Sequence, residues 1–82
     1  MDRLKAVVAS VLRIPVTSVT DDTSPDVVKT WDSLAHLNLV MALEVEFQIA
    51  LSPEDAMEML SVGLIRAILK ERGVEILEGG ER

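Results

Sequence analysis

The segment Trp31-Asp32-Ser33-Leu34, with His36 a turn further on, holds the side chains best placed to do chemistry. Ser33 offers a hydroxyl. It follows a run of turn residues and opens a stretch that holds no Gly or Pro through Gln48, so it is expected at a helix N-terminus. The first backbone N–H groups of a helix lack helical partners, and that end of the dipole is positive. A hydroxyl placed there can be presented to another protein, and a phosphate attached to it would meet those N–H groups. Asp32 and Ser33 also read as an ordinary cap pair, since both residue types are favoured at that position. Spacing alone favours the cap.

Other chemistry finds little support. The chain has no cysteine, which excludes a disulfide framework and a Cys-based metal site. It also excludes any thiol of the protein's own, so thioester chemistry would need a sulfur from a prosthetic group. His36 is the only histidine and lies one turn past Asp32, but two ligands without a third make a poor metal site. A solvent-facing His36, or one that touches a partner, is the expectation. No nucleophile and base can be paired, which leaves a small enzyme without support. The acids lack the alternating loop pattern of a calcium site, so Asp21-Asp22 are expected as turn residues with solvated charge.

The elements that must position Ser33 follow from apolar spacing. Leu4, Val7, Val8, Val11 and Leu12 share one face of a helix over about residues 2–13, ended by Pro15. A long segment of turn residues without helical period runs from there to Trp31. Val16, Val19, Val27 and Val28 are expected to pin it to the core, and connections this long tend to be functional. Trp31 is expected as a structural anchor. The helix from Ser33 to about Gln48 carries two apolar stripes. Leu39, Ala42, Leu43 and Phe47, with Ala50 beyond, form one; Leu34, Leu37, Met41 and Val45 form the other. One stripe can face the core, which leaves the second as a candidate partner surface.

Ser52-Pro53-Glu54-Asp55 starts a short helix to about Met59 or Leu60, with Ser52 as N-cap and Pro53 at the first helical position. Met57 and Met59 are expected as core filling. Ser61 caps a last helix on which Val62, Ile65, Ile68 and Leu69 share a face, stopped by Gly73. Residues 74–82 read as a frayed tail, so the domain is residues 1–73.

Composition agrees with packed helices. Of the 82 residues 49% are hydrophobic, with one Phe, one Trp and no Tyr, which is enough for one small core and one domain. The net charge of −6 comes from residues 21–58, which hold nine acids against Lys29. That field repels nucleic acid and attracts basic protein surfaces. No segment approaches a membrane span or a secretory leader, so a cytoplasmic monomer is the expectation.

Asp32-Ser33-Leu34, followed by Leu37, Leu39-Val40-Met41-Ala42-Leu43-Glu44 and Glu46-Phe47, resembles the acyl carrier protein family. Ile14-Pro15, Asp21-Asp22-Thr23 and Leu51-Ser52-Pro53-Glu54-Asp55 resemble the family's first-helix exit, long loop and third-helix start. The resemblance covers about residues 2–72. It implies an all-α four-helix bundle, with three longer helices, one short helix and a long first loop. It implies that Ser33 is the attachment site of 4′-phosphopantetheine, transferred from coenzyme A by a separate Mg²⁺-dependent phosphopantetheinyl transferase. The arm would then hold acyl or related groups as thioesters for fatty-acid, polyketide or similar biosynthesis, with no catalysis by the carrier itself. By match to the motif, Asp32 would help position the metal and the transferase. Leu34, Leu37, Met41 and Glu44 would form the recognition face for acyl-activating, acyltransferase or synthase partners with basic docking patches.

The sequence departs from fatty-acid carriers at Ala35 and Asn38, where acids are usual, and at Thr30, where glycine is frequent. Trp-Asp-Ser-Leu-x-His-Leu resembles stand-alone carriers of specialised pathways more than the housekeeping fatty-acid type. A helical interaction module without cofactor is the rival that the surplus stripe would also fit.

Overall fold

The computed structural model describes residues 2–76. Within them four α-helices follow in order: α1 (Arg3–Leu12), α2 (Ser33–Phe47), α3 (Pro53–Met57) and α4 (Val62–Glu71), with a 3-10 turn at Val16–Ser18. Among the described residues there is no strand. The all-helical bundle with one short helix is therefore as the sequence implied.

Each helix begins and ends for a local reason. Asp2 Oδ1 accepts from Lys5 N–H, and α1 stops where Arg13 turns left-handed at φ 61°. Gln48 ends α2 in the same way at φ 55°. Ser52 and Asp55 form a reciprocal capping box on α3, each side chain accepting from the other's backbone N–H. Ser61 Oγ accepts from Leu64 N–H to start α4, and Gly73 at φ 84° follows its end.

The core is the apolar face of every long helix. Leu4, Val8 and Leu12 of α1, Leu39 and Leu43 of α2, and Val62, Ile65 and Leu69 of α4 are all fully buried. Burying one such side chain contributes about 1.5–3 kcal/mol. Met59, just past α3, is fully buried as expected, but Met57, the last residue of α3, is exposed. Ala50 lies outside α2 and is exposed.

The loop between α1 and α2 is held differently from the expectation. Only Val19 of its four valines is buried; Val28 is half-buried, and Val16 and Val27 are exposed. Backbone bonds take their place. Thr23 O accepts from Val62 N–H and Asp21 O from Gly63 N–H, both at 2.9 Å. The loop thus supplies the acceptors that the first turn of α4 lacks. A side chain at Gly63 would put its Cβ 3.2 Å from Asp21 O, so this approach favours glycine. Asp21 is not merely solvated: with Asp2 it holds Arg66, at 3.0 Å and 2.9 Å. Burial disfavours that guanidinium's charge, yet the two carboxylates outweigh it and raise the Arg66 pKa.

Past Gly73 the chain stays packed for three residues. Val74 N–H donates to Leu69 O, and Val74 and Ile76 lie against the core. The rest of the expected tail, 77–82, lies outside the described residues.

Asp55 joins α3 to the end of α4, accepting from Arg72 Nε at 3.1 Å and from Arg72 Nη2. The Arg72 hydrogen bond, helped by the Ser52 backbone, holds its carboxyl below the ordinary 3.8. A depressed carboxylate stabilises the fold above its unfolded value, and that contribution disappears as pH falls through the folded value. Urea midpoints measured from pH 6 down to pH 3 should therefore drop more steeply for wild type than for Asp55→Asn. Parallel curves would remove this pair from the acid response.

Candidate functional site

The approach to α2 is fixed by the residues before it. Thr30 Oγ1 donates to Leu12 O at 2.8 Å, tying the loop to the end of α1. Trp31 N–H donates to Val28 O, and the indole is 3% exposed, an anchor as expected. Asp32 is then the N-cap in extended backbone, its Oδ1 accepting from Ala35 N–H at 2.9 Å. Ser33 is the first helical residue. It is exposed, and its hydroxyl makes no hydrogen bond among the described residues.

His36 is where the structure departs most from the sequence reading. It is half-buried rather than solvent-facing. Its Nδ1 lies 2.9 Å from Trp31 Nε1 and its Nε2 lies 2.8 Å from Ala56 O of α3. An indole N–H only donates and a carbonyl only accepts, so Nδ1 must be bare and Nε2 must carry the hydrogen. The neutral imidazole fits both partners at once. The two rings stack with centroids 6.1 Å apart at 20°. Trp31, His36 and Ala56 thus form one chain from the loop through α2 to α3. Sequence reasoning missed it. A buried indole needs an acceptor, but nothing in the spacing says that α3 presents a carbonyl to the far side of the ring.

Ser33 stands on the rim of a cleft of about 450 Å³ with Trp31, His36, Met57, Met59 and Leu60 in its walls. A larger groove of about 750 Å³ runs between α1 and α2 along Val7, Val11, Met41 and Val45, but Ser33 does not line it. The smaller cleft is the one that Ser33 lines. The second stripe of α2 faces solvent as expected: Leu34, Leu37, Met41 and Val45 are all more than half exposed. Glu44 is half-buried, and its Oε2 accepts from Leu51 N–H at 2.9 Å, which commits one of its oxygens to the α2–α3 loop. The acidic middle of the chain is partly spent internally: Asp21, Glu46 and Asp55 pair with Arg66, Arg3 and Arg72. Asp22, Asp26, Asp32, Glu54 and Glu58 remain exposed, and of these Asp32 lines the cleft. Among the described residues no three His, Asp or Glu side chains could together hold a metal, so Asp32 and His36 do not make a site.

An exposed, unbonded serine at the head of a long helix is the arrangement a phosphodiester needs. Residues 2–69 match the family described as the phosphopantetheine attachment site. The chain belongs to that family. It is a carrier domain, and the group its family holds is phosphopantetheine. A solved structure from Mycobacterium tuberculosis, provisionally assigned as an acyl carrier protein, is similar over 85% of this chain and 93% of its own, with a TM-score of 0.76 and 27% identity. The likeness supports an acyl carrier role for this carrier domain. No described helix is long and apolar enough to cross a membrane.

The carrier's residues fit the group. The N–H groups of the first turn of α2 lack helical acceptors and would face a phosphate on Ser33. Asp32 keeps that turn formed. Asp32→Ala should cost about 1 kcal/mol in urea unfolding, and Asp32→Asn no more than a few tenths, because Asn also caps. Equal losses would mean that the charge, rather than the cap, stabilises the turn.

Proposed function

We propose that 4′-phosphopantetheine is attached to Ser33 and that the loaded protein delivers acyl or related thioesters to biosynthetic enzymes. The observation that carries this reading is the exposed, unbonded Ser33 hydroxyl at the head of α2 on the rim of an apolar cleft. In the transfer, Ser33 Oγ attacks the β-phosphorus of coenzyme A, the bond to adenosine 3′,5′-bisphosphate breaks, and the serine proton passes to a base. That base belongs to the transferase, because both nitrogens of His36 are engaged with Trp31 and Ala56. When bound, the group supplies a thiol on a flexible arm, which the Cys-free chain otherwise lacks.

Within this reading Asp32 has a second task beside capping: its exposed carboxylate helps place Mg²⁺ and the transferase. Leu34, Leu37 and Met41 form the docking face, with the uncommitted oxygen of Glu44 at its edge. With Ala35 and Asn38 in place of acids, that face is more apolar than charged. This favours a stand-alone carrier of a specialised pathway, polyketide-like or similar, over the housekeeping fatty-acid type. The carrier domain reaches at least Ile76, past the expected boundary at Gly73, and works as a cytoplasmic monomer.

Incubation of the apo protein with coenzyme A, Mg²⁺ and a broad-specificity transferase, followed by intact mass, tests the reading. Wild type should gain one phosphopantetheine and Ser33→Ala none. No gain in folded wild type, beside a control carrier that is modified, would leave the α2 stripe as a docking face without an arm. Asp32→Asn separates the two tasks of Asp32. It should keep the fold yet slow modification about tenfold or more, which corresponds to about 1.4 kcal/mol. Leu37→Ala and Met41→Ala, both exposed, should weaken partner turnover with little change in stability; an unchanged KM for every partner tried would argue against this docking face.

A further inference from the structure

In the cleft's lining, Ser33, Trp31 and His36 face Met57, Met59 and Leu60 at and just past the end of α3. Met57 and Leu60 are exposed, Met59 is fully buried, and Leu39 and Leu43 of α2 belong to the same buried core as Met59. Since the cleft is lined from both α2 and the α3 region, the path from Ser33 toward the buried Met59 lies between those two elements. His36 spans that passage, bonded at 2.8 Å to Ala56 O on α3 and at 2.9 Å to the buried Trp31 indole. No buried side-chain polar atom among the described residues is left without a partner, so the closed arrangement is fully satisfied. The wall opposite α2 is only the five residues of α3, too short to hold its own shape as a helix. Its ties are the capping box, Arg72 and the His36 bond.

We infer that Trp31, His36 and Ala56 form a latch across the α2–α3 passage that keeps the cargo at the surface cleft, so that His36 restricts this carrier to compact acyl groups. This rests on attachment of the arm at Ser33. The physical basis is the gradient that an open passage would create. Each methylene buried in an apolar interior strengthens occupancy about fourfold, so an open passage would favour long alkyl chains steeply. A closed one offers a long chain only the partial cover of Met57 and Leu60 and removes most of that gradient. His36 acts here as a positioning residue: it touches the cleft and holds α3, and it does no chemistry on the thioester.

The test loads acetyl and decanoyl phosphopantetheine onto Ser33 from the acyl-coenzyme A and confirms each product by mass. Two readouts follow. One is thioester cleavage by hydroxylamine, normalised to the same acyl-coenzyme A; the other is the methyl NMR spectrum of Leu39, Leu43 and Met59. In wild type the normalised rates for the two cargoes should agree within about twofold, because little of the methylene gradient remains, and the core methyl shifts should coincide. Trp31→Phe removes the indole donor and keeps an aromatic in its place; His36→Ala removes the latch. Both should protect decanoyl relative to acetyl by about tenfold or more and move the methyl shifts only when decanoyl is bound. His36→Gln, which can accept and donate together, should return the wild-type pattern. If His36→Ala does not fold, Trp31→Phe with its two cargoes still decides. Strong protection of decanoyl in wild type, or latch variants that leave the ratio unchanged, would overturn the inference while leaving the arm at Ser33 intact. Failure to load Ser33 at all would overturn the arm, and the latch with it.

Discussion

A buried indole must spend its one N–H, and in this protein that requirement organises the site. Trp31 lies at the point where the long loop becomes α2, and its ring is almost wholly removed from water. Leaving its N–H unpaired there would cost about 1–3 kcal/mol. His36 accepts it, which fixes the imidazole as the tautomer with hydrogen on Nε2, and that hydrogen then fixes α3 through Ala56 O. Three elements are set by one donor. Ser33 falls between Trp31 and His36 in sequence and therefore on the outer side of a turn whose inner side is already committed. Its exposure follows from the way its neighbours are satisfied.

The rest of the fold solves a different shortage. A chain of 82 residues buries few side chains, and the long loop adds only Val19, Thr23 and Trp31 to the buried set. It contributes instead through backbone groups. Asp21 and Thr23 carbonyls cap α4, and the Asp21 carboxylate shares Arg66 with Asp2 at the start of α1. The loop, α1 and α4 are thereby joined at one end of the bundle, while Arg72 joins α4 to α3 at the other. Exposed ion pairs contribute little, but the Arg66 and Asp2 side chains are mostly covered, and their geometry orders segments that apolar burial alone would leave loose.

This division explains what could be read from the residues. Helix α1, the buried faces of α2 and α4, the caps at Asp32, Ser52 and Ser61, and the exposed second stripe of α2 all depend on spacing within one element, and spacing is visible in sequence. The valines of the loop were a poor guide because an irregular segment has no period that says which side chains turn inward. Met57 and Met59 were indistinguishable by type, yet one is exposed and the other fully buried. His36 was the hardest. Its role depends on an indole five residues before it and a carbonyl twenty residues after it, and a backbone carbonyl has no signature in sequence.

The same geometry leaves Ser33 without a base of the protein's own. His36 sits one turn from Ser33, the spacing at which an imidazole could have served the hydroxyl as a base. Both of its nitrogens are turned to other partners, and one Asp32 oxygen is occupied in capping. Ser33 is left with an ordinary hydroxyl of low nucleophilicity, and under the proposed attachment the transferase would have to bring the base. That restraint suits a carrier. A free imidazole beside the arm could activate water against whatever ester or thioester the arm holds, and a cargo lost to water never reaches its enzyme. The bonds that position Ser33 would therefore also remove the nearest group able to attack a cargo held there.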